Sequence, residues 1–128
     1  MQFLLDTHTL IFFLSDDSQL PKNAVRIIEN LEHTCYISIA SFWEMGIKVS
    51  LGKLTLNLDL EDVMKMTTEI GIEILPILPD HILTCSKLAF HHRDPFDRLI
   101  VSQAMEENLT LISKDQAFKA YDVPLVWS

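Results

Sequence analysis

The sequence contains few cysteines, few basic residues and no long apolar run. Its two cysteines, Cys35 and Cys85, are widely spaced in apolar patterns, so we expect buried, reduced thiols and neither a disulfide framework nor a thiolate metal site. No run approaches the roughly 20 apolar residues of a membrane span, and Met1 leads into a strand pattern instead of a basic leader. We therefore expect a cytoplasmic protein with no membrane segment.

The shortage of basic residues limits how the chain can contact nucleic acid. Lys and Arg together number 10 against 18 Asp and Glu, which gives a formal net charge of -8. This charge argues against binding of nucleic acid through a broad basic face. It does not exclude a nucleic-acid substrate, because cations held by acidic side chains would offset negative charge locally. A basic protein partner would complement the remaining charge.

Short apolar runs alternate along the chain with apolar residues at helical spacing. The 128 residues, 48% of them hydrophobic, suit a single domain over 1–128. The patterns predict strands at residues 3–5, 36–39, 72–77, 109–112 and near 124–127. Strands that alternate with helices across short loops predict a three-layer α/β/α sandwich with a mostly parallel central sheet.

Four acidic residues recur at one kind of position: each follows a short apolar run and stands at the start of a helical pattern. They are Asp6, Glu44, Asp97 and Asp115. If the runs are parallel strands, the four carboxylates meet outside the carboxyl edge of the sheet, where open α/β sheets bind ligands. Gathered there, they would repel one another unless a cation lay among them. Oxygen ligands favour Mg²⁺ or Mn²⁺ over zinc, so the sequence predicts a metal-dependent site.

Each acid also has a purely local explanation. Ser41 and Glu44 have the spacing of a capping box, and Asp97 would favour the amino-terminal end of a helix dipole. Asp6 fits a helix cap and Asp115 an ordinary turn. The fourfold recurrence favours the shared site over these separate roles. Asp6 has the weakest local explanation, because an acid directly after a buried strand is costly to desolvate without a partner.

Further polar residues lie beside these acids in the sequence. Thr7 and Ser113 could hold a metal-bound water or a phosphate oxygen, although helix capping explains them nearly as well. Lys48, Arg93 and Arg98 are candidates for substrate phosphates, and solvation at the surface is equally compatible with each of them.

Histidine and aromatic residues near the acids have more ordinary interpretations. His91 and His92 could touch substrate, yet loop histidines are more often solvated. Trp43 is expected mostly in the core, and an exposed position would instead indicate a protein interface.

Four segments together resemble a known family over nearly the whole chain. They are Phe-Leu-Leu-Asp-Thr-His at 3–8, Ser-Phe-Trp-Glu-Met-Gly-Ile-Lys at 41–48, His-Arg-Asp-Pro-Phe-Asp-Arg-Leu-Ile at 92–100 and Leu-Ile-Ser-Lys-Asp at 111–115. In this order and spacing they resemble PIN-domain proteins, specifically the VapC toxin branch of bacterial and archaeal toxin-antitoxin systems.

The resemblance implies an activity, a cofactor and partners. It implies a Mg²⁺- or Mn²⁺-dependent endoribonuclease that cleaves RNA, is usually a homodimer, and is held inactive by a cognate antitoxin whose tail enters the active-site groove. Carried over by position, the family's small hydroxyl residue falls on Ser113 and its four acids fall on Asp6, Glu44, Asp97 and Asp115.

Two positions and two alternative functions stay open at this point. Asp94, typical of the Asp-Pro-Phe-Asp branch, is a secondary candidate because it also explains itself as a helix cap. His8 stands where the family often has asparagine or serine, and where an aspartyl-phosphate phosphatase would need a second acid. A non-catalytic interaction module or phospho-acceptor receiver would use Asp6 and Asp115 as acceptor-site acids, with no need for Glu44.

Overall fold

The computed structural model describes residues 1–128 and contains a five-stranded sheet flanked by six α-helices. The strands are β1 Gln2–Leu5, β2 Thr34–Ser38, β3 Glu73–Leu75, β4 Thr110–Ile112 and β5 Leu125–Val126. The helices are α1 Thr7–Leu14, α2 Lys22–Glu29, α3 Ile39–Ser50, α4 Leu60–Glu69, α5 Pro79–Ser86 and α6 Pro95–Glu106, with a 3₁₀ helix at Gln116–Ala120. This architecture confirms the predicted α/β/α fold.

The sheet has the strand order β3-β2-β1-β4-β5, and all neighbouring pairs are parallel. The central strand β1 carries Phe3, Leu4 and Leu5, whose exposed fractions are 3%, 0% and 0%. A strand that is buried on both faces needs such a continuous apolar run. The apolar start of the sequence therefore forms the middle of the sheet.

Side-chain alternation along β1 divides the core between the two faces of the sheet. Phe3 and Leu5 belong to a cluster that includes Met45 of α3. Leu4 belongs to a second cluster that includes Ile100 of α6. Successive strand residues point to opposite faces, so one short run anchors helices on both sides.

The register of the sheet brings distant residues to a common edge. Leu5 pairs with Ile37 of β2 on one side and with Ile112 of β4 on the other. The backbone N–H of Asp6 then donates to the carbonyl of Ile112 at 3.2 Å. Asp6 and Ser113 consequently leave neighbouring strands at the same level, on the carboxyl edge of the sheet.

Helix α3 begins earlier than the sequence pattern predicts. Its N-cap is Ser38, whose Oγ accepts a hydrogen bond from the Ala40 N–H at 3.1 Å. The capping box considered as a local alternative for Ser41 and Glu44 does not form, because both residues already lie inside the helix. Glu44 therefore projects from the second turn and is free to make tertiary contacts.

Arg98 stabilises the loop between α5 and α6 through hydrogen bonds to its backbone. Its exposed fraction is 7%, and the Phe90 ring centroid lies 3.9 Å from its guanidinium carbon. The guanidinium donates to four backbone carbonyls at 3.1 to 3.4 Å, those of Cys85, Leu88, Ala89 and His92. These carbonyls lie in the last turn of α5 and in the loop after it, where regular helical hydrogen bonding ends, and the guanidinium supplies donors there. Arg98 is thus unavailable to a substrate phosphate, contrary to the expectation from the sequence.

The two cysteines form no disulfide bond with each other. Both cysteines are free; Cys35 is buried and Cys85 is half-buried. Burial raises the pKa of the Cys35 thiol to about 11. None of the helices combines the length and the apolar character required to cross a bilayer.

Candidate active site

The carboxyl edge of the sheet opens into a cavity of about 180 Å³ that is lined only by polar residues. Its lining comprises Asp6, Thr7, His8, Glu44, Lys48, Asp94, Asp97 and Asp115. The structure therefore brings together all four acids that the sequence singles out, and it adds Asp94 as a fifth carboxylate.

Asp6 is held in one orientation by donors from two elements. As the N-cap of α1, its Oδ1 accepts hydrogen bonds from the Thr9 N–H at 2.9 Å and the Thr9 hydroxyl at 2.7 Å. Its Oδ2 accepts a hydrogen bond from the Ser113 hydroxyl. Burial nevertheless raises the pKa of Asp6, against the effect of these hydrogen bonds. Sequence reasoning missed Thr9, although the Asp-x-x-Thr spacing is a capping signal.

Glu44 is 3% exposed, and each of its carboxylate oxygens has a partner. The Thr7 hydroxyl donates to Oε1 at 2.6 Å, and Lys48 Nζ lies 2.5 Å from Oε2. A buried carboxylate needs such partners to offset desolvation. Thr7 is thus a donor that orients Glu44.

Lys48 carries the single lysine or arginine charge on the cavity wall. The hydrogen bond to Glu44 raises the pKa of Lys48 most, and the charges of Glu44, Asp94 and Asp97 raise it further. The other basic candidates do not line this cavity: Arg93 is exposed elsewhere, and Arg98 is buried under the α5–α6 loop.

Asp94 and Asp97 lie together at the start of α6. Asp94 is the N-cap, and its Oδ1 accepts hydrogen bonds from the N–H groups of Phe96 at 2.8 Å and Asp97 at 3.2 Å. Burial raises the pKa of Asp97 to about 7; the charges of Asp94, Glu44 and Asp6 contribute, while His92 opposes the shift. The folded chain without a bound cation therefore releases the proton of this carboxyl only around neutral pH.

Asp115 reaches the cavity from the other side. It is the N-cap of the 3₁₀ helix, and its Oδ1 accepts a hydrogen bond from the Ala117 N–H at 2.9 Å. Its backbone N–H donates to Ser113 Oγ at 3.0 Å. Since the same hydroxyl donates to Asp6, Ser113 connects two of the acids.

His92, which by sequence could touch substrate but is expected to be solvated, contacts an acid of the site. Its Nε2 lies 2.7 Å from Asp115 Oδ2, and the residue is 9% exposed. The expectation of a solvated loop histidine holds for exposed His91 and is wrong for His92. Nothing in the local sequence signals this contact, because 23 positions separate His92 from Asp115.

The composition of the cavity matches the ligand set of a hard divalent cation. Its walls carry five carboxylates and one lysine, and no cysteine. Mg²⁺ and Mn²⁺ favour oxygen ligands of this kind. Burial first, and then the charges of neighbouring acids, raise the pKa of Asp97, and a cation bound beside it would oppose both effects. In addition, one ligand atom each from Asp97, Asp115 and His92 lies within 4.8 Å of the others.

Comparison with known proteins agrees with this architecture. A family model described as the PIN domain matches residues 3–124. No curated protein matches the sequence.

Solved structures show the same fold at low sequence identity. VapBC2 from Rickettsia felis, bound to a DNA fragment from their promoter, has a TM-score of 0.76 and 20% identity over 100% of both chains. VapBC-1 from nontypeable Haemophilus influenzae has a TM-score of 0.71 and 21% identity over 98% of this chain and 97% of that chain. A toxin-antitoxin complex from Klebsiella pneumoniae has a TM-score of 0.66 and 21% identity over 97% and 95%.

The match over residues 3–124, together with the parallel sheet and the acidic cavity at its carboxyl edge, identifies the family. The chain belongs to the PIN-domain family.

Proposed function

We propose that this chain is a Mg²⁺- or Mn²⁺-dependent endoribonuclease that acts as the toxin of a toxin-antitoxin system in the cytoplasm. The observation that carries the proposal is the meeting of five carboxylates and one lysine in a single cavity of a PIN domain. Structures with a similar fold come from VapBC proteins and from a complex described as toxin-antitoxin. The motifs at 3–8, 41–48, 92–100 and 111–115 support the same function.

Asp6, Glu44, Asp97 and Asp115 would hold the divalent ion. When bound, the ion supplies positive charge that polarises the scissile phosphate and acidifies the attacking water. The chain itself keeps these carboxylates oriented through hydroxyl donors such as Ser113 on Asp6. We propose Lys48, whose Nζ lies 2.5 Å from Glu44 and which supplies the lysine charge of the cavity, as the residue that contacts a substrate phosphate.

A partner protein would enter from an apolar groove between α1 and α4. The groove has a volume of about 360 Å³ and includes Ile11, Phe12, Val63 and Met66. Phe12 also lines a second cavity together with Asp6, His8, Lys114 and Asp115, so the groove and this cavity lie on either side of one residue. An antitoxin segment with an apolar face and a basic residue beyond it would fill the groove and neutralise the carboxylates.

A second copy of the chain would cover another apolar surface beside the acidic cavity. Trp43 and Phe90 are 63% and 79% exposed, so the expectation of Trp43 in the core is wrong. Trp43 also lines an apolar groove of about 340 Å³ with Ile82, Phe96 and Leu99. Exposed aromatic groups of this kind are typical of protein interfaces, and the family resemblance makes a homodimer the proposed occupant.

The first prediction concerns RNA cleavage. Asp6→Asn keeps the size of the side chain and removes one charge from the proposed ion site. We expect Mg²⁺-dependent cleavage of structured RNAs to fall by more than about 100-fold, with unchanged circular dichroism and thermal midpoint. The wild-type products should carry a 5′-phosphate and a 3′-hydroxyl.

Asp122→Asn, a change at an exposed aspartate outside the cavity, is the matched control and should cleave at the wild-type rate. EDTA should abolish cleavage by the wild type. Undiminished cleavage by Asp6→Asn, or cleavage in EDTA, would contradict the proposal and favour a non-catalytic or phospho-acceptor role.

The second prediction concerns pH and the divalent ion. The folded pKa of Asp97 is about 7, whereas the ordinary value is 3.8. At pH values between these two pKa values, Asp97 holds a proton in the folded chain that it has released in the unfolded chain. The free energy of unfolding of the metal-free protein should therefore fall from about pH 4 to about pH 7, relative to Asp97→Asn.

Mg²⁺ should reverse this loss by replacing the proton. Urea unfolding should show a larger stabilisation by Mg²⁺ at about pH 8 than at about pH 5, where protons compete for the carboxylates. Equal stabilisation at both pH values would argue against Asp97 as a ligand.

The third prediction concerns inhibition by the antitoxin, sought as the product of the neighbouring reading frame. Met66→Glu places a charge on the wall of the apolar groove between α1 and α4. We expect cleavage without antitoxin to persist and antitoxin affinity to fall by about 30-fold, as expected for the loss of an interface hot spot. The exposed neighbouring change Lys65→Glu should leave inhibition intact. Full inhibition of Met66→Glu would place the antitoxin elsewhere.

The fourth prediction concerns the oligomeric state. Light scattering should give about twice the chain mass of 14.7 kDa for the wild type, and one chain mass for Trp43→Glu, because the new charge would be buried in the interface. Leu31→Glu, which changes a 99% exposed residue away from this surface, should stay dimeric. A wild-type mass of one chain at micromolar concentration would refute the homodimer.

A further inference from the structure

His92 occupies a specific, enclosed environment although it lies in the loop before α6. Its ring stacks on Phe118 with centroids 4.4 Å apart and an interplanar angle of 22°. The Tyr121 ring lies 5.6 Å away at 23°. The imidazole therefore cannot turn freely, and its two nitrogens point in fixed directions.

Both ring nitrogens of His92 have partners, and the partners determine which nitrogen carries the proton. Nε2 faces Asp115 Oδ2 at 2.7 Å, and an ionised carboxylate can only accept hydrogen bonds. Nε2 must therefore be protonated. Nδ1 lies 3.1 Å from the Tyr121 hydroxyl, which already accepts a hydrogen bond from the His92 backbone N–H at 2.9 Å. The hydroxyl proton is consequently free to be donated to Nδ1 of the neutral ring.

This chain of hydrogen bonds ends on a carboxylate that has few other constraints. The Asp115 side chain is 44% exposed, whereas the other four acids of the cavity are buried or half-buried. Ala117 N–H occupies its Oδ1, and His92 Nε2 occupies its Oδ2. Two donors on opposite oxygens define the plane of the carboxylate. Without His92, solvent would compete for Oδ2 and the carboxylate would rotate.

We propose that His92 is a positioning residue: through its Nε2–H it orients Asp115 towards the cavity, and it thereby raises the affinity of the site for a divalent ion. The inference rests on the proposed metal-dependent function. Hydrogen-bond partners of metal ligands typically contribute about 10- to 100-fold in metal affinity or activity. His92 acts here without binding the ion itself, since Nε2 is engaged by Asp115 and Nδ1 by Tyr121.

Two amide substitutions at His92 distinguish the effect of the N–H donor's position from the effect of losing the imidazole ring. In His92→Gln the amide nitrogen falls near the place of Nε2, whereas in His92→Asn it falls near the place of Nδ1. Both variants lose the aromatic stack, so their thermal midpoints should be similar. His33→Asn, at a half-buried histidine outside the cavity, controls for the loss of an imidazole.

The main measurement is Mn²⁺ affinity of the full chain by isothermal titration calorimetry, which needs no RNA. We expect His92→Asn to bind Mn²⁺ about 10-fold more weakly than the wild type, with His92→Gln restoring most of this loss. His33→Asn should bind as the wild type does. Equal affinity of the wild type and His92→Asn would overturn the inference.

Two spectroscopic measurements test the same contact independently. Long-range ¹H–¹⁵N correlation on the metal-free protein should show the Nε2-protonated tautomer of His92, and an Nδ1-protonated ring would overturn the inference. Electron spin echo spectroscopy of bound Mn²⁺ should show no directly coordinated imidazole nitrogen. A strong nitrogen coupling that disappears in His92→Asn would make His92 a ligand and would likewise overturn it.

The results also distinguish this inference from the proposed function. Mn²⁺ binding and RNA cleavage by the wild type, with His92→Asn unchanged in affinity, would refute the positioning role alone. The expected affinities without any RNA cleavage would support the positioning role and refute the ribonuclease. If His92→Asn does not fold, Tyr121→Phe keeps the ring and removes the hydroxyl, and it should weaken Mn²⁺ binding. Unchanged binding in that variant would overturn the inference.

Discussion

Repulsion among carboxylates that share one small cavity is the constraint on which the rest of this structure depends. Five acids and a single lysine line about 180 Å³ at the carboxyl edge of the sheet. The protein compensates only part of this charge, and the pKa of Asp97 rises to about 7 as a result of burial and of neighbouring acids. A fold that maintains such a cluster without a cation sacrifices stability at neutral pH, as functional sites often do.

Three of the five acids, Asp6, Glu44 and Asp115, are kept in place by donors that come from distant parts of the chain. Ser113 donates to Asp6 across 107 positions, and Thr7 donates to Glu44 across 37. His92 does the same for Asp115, which is the most exposed of the five acids. The site is therefore oriented before any ligand arrives, and preorganisation of this kind reduces the free-energy cost of ion binding.

The charge of the site and the apolar surfaces around it suit different proposed partners. The net charge of -8 leaves no broad basic face for RNA, so an ion and Lys48 would carry the contact with phosphate. Apolar surface lies near the acids in two places: a groove that shares Phe12 with a cavity lined by Asp6 and Asp115, and the exposed patch around Trp43. Partners that occupy these surfaces would control access to the same cavity.

The sequence by itself determined the class of fold and the four principal acids. Strand and helix periodicity, and the position of each acid in or near the start of a helical pattern, are local properties that can be recognised without knowledge of tertiary contacts. Only the tertiary structure decided the burial of Arg98, His92 and Trp43, which in each case differs from expectation. Burial, hydrogen-bond partners and exposure of a side chain depend on residues far away in the sequence. A sequence pattern can therefore predict a carboxylate at the edge of the sheet, but only the folded structure determines which residues hydrogen-bond to it there.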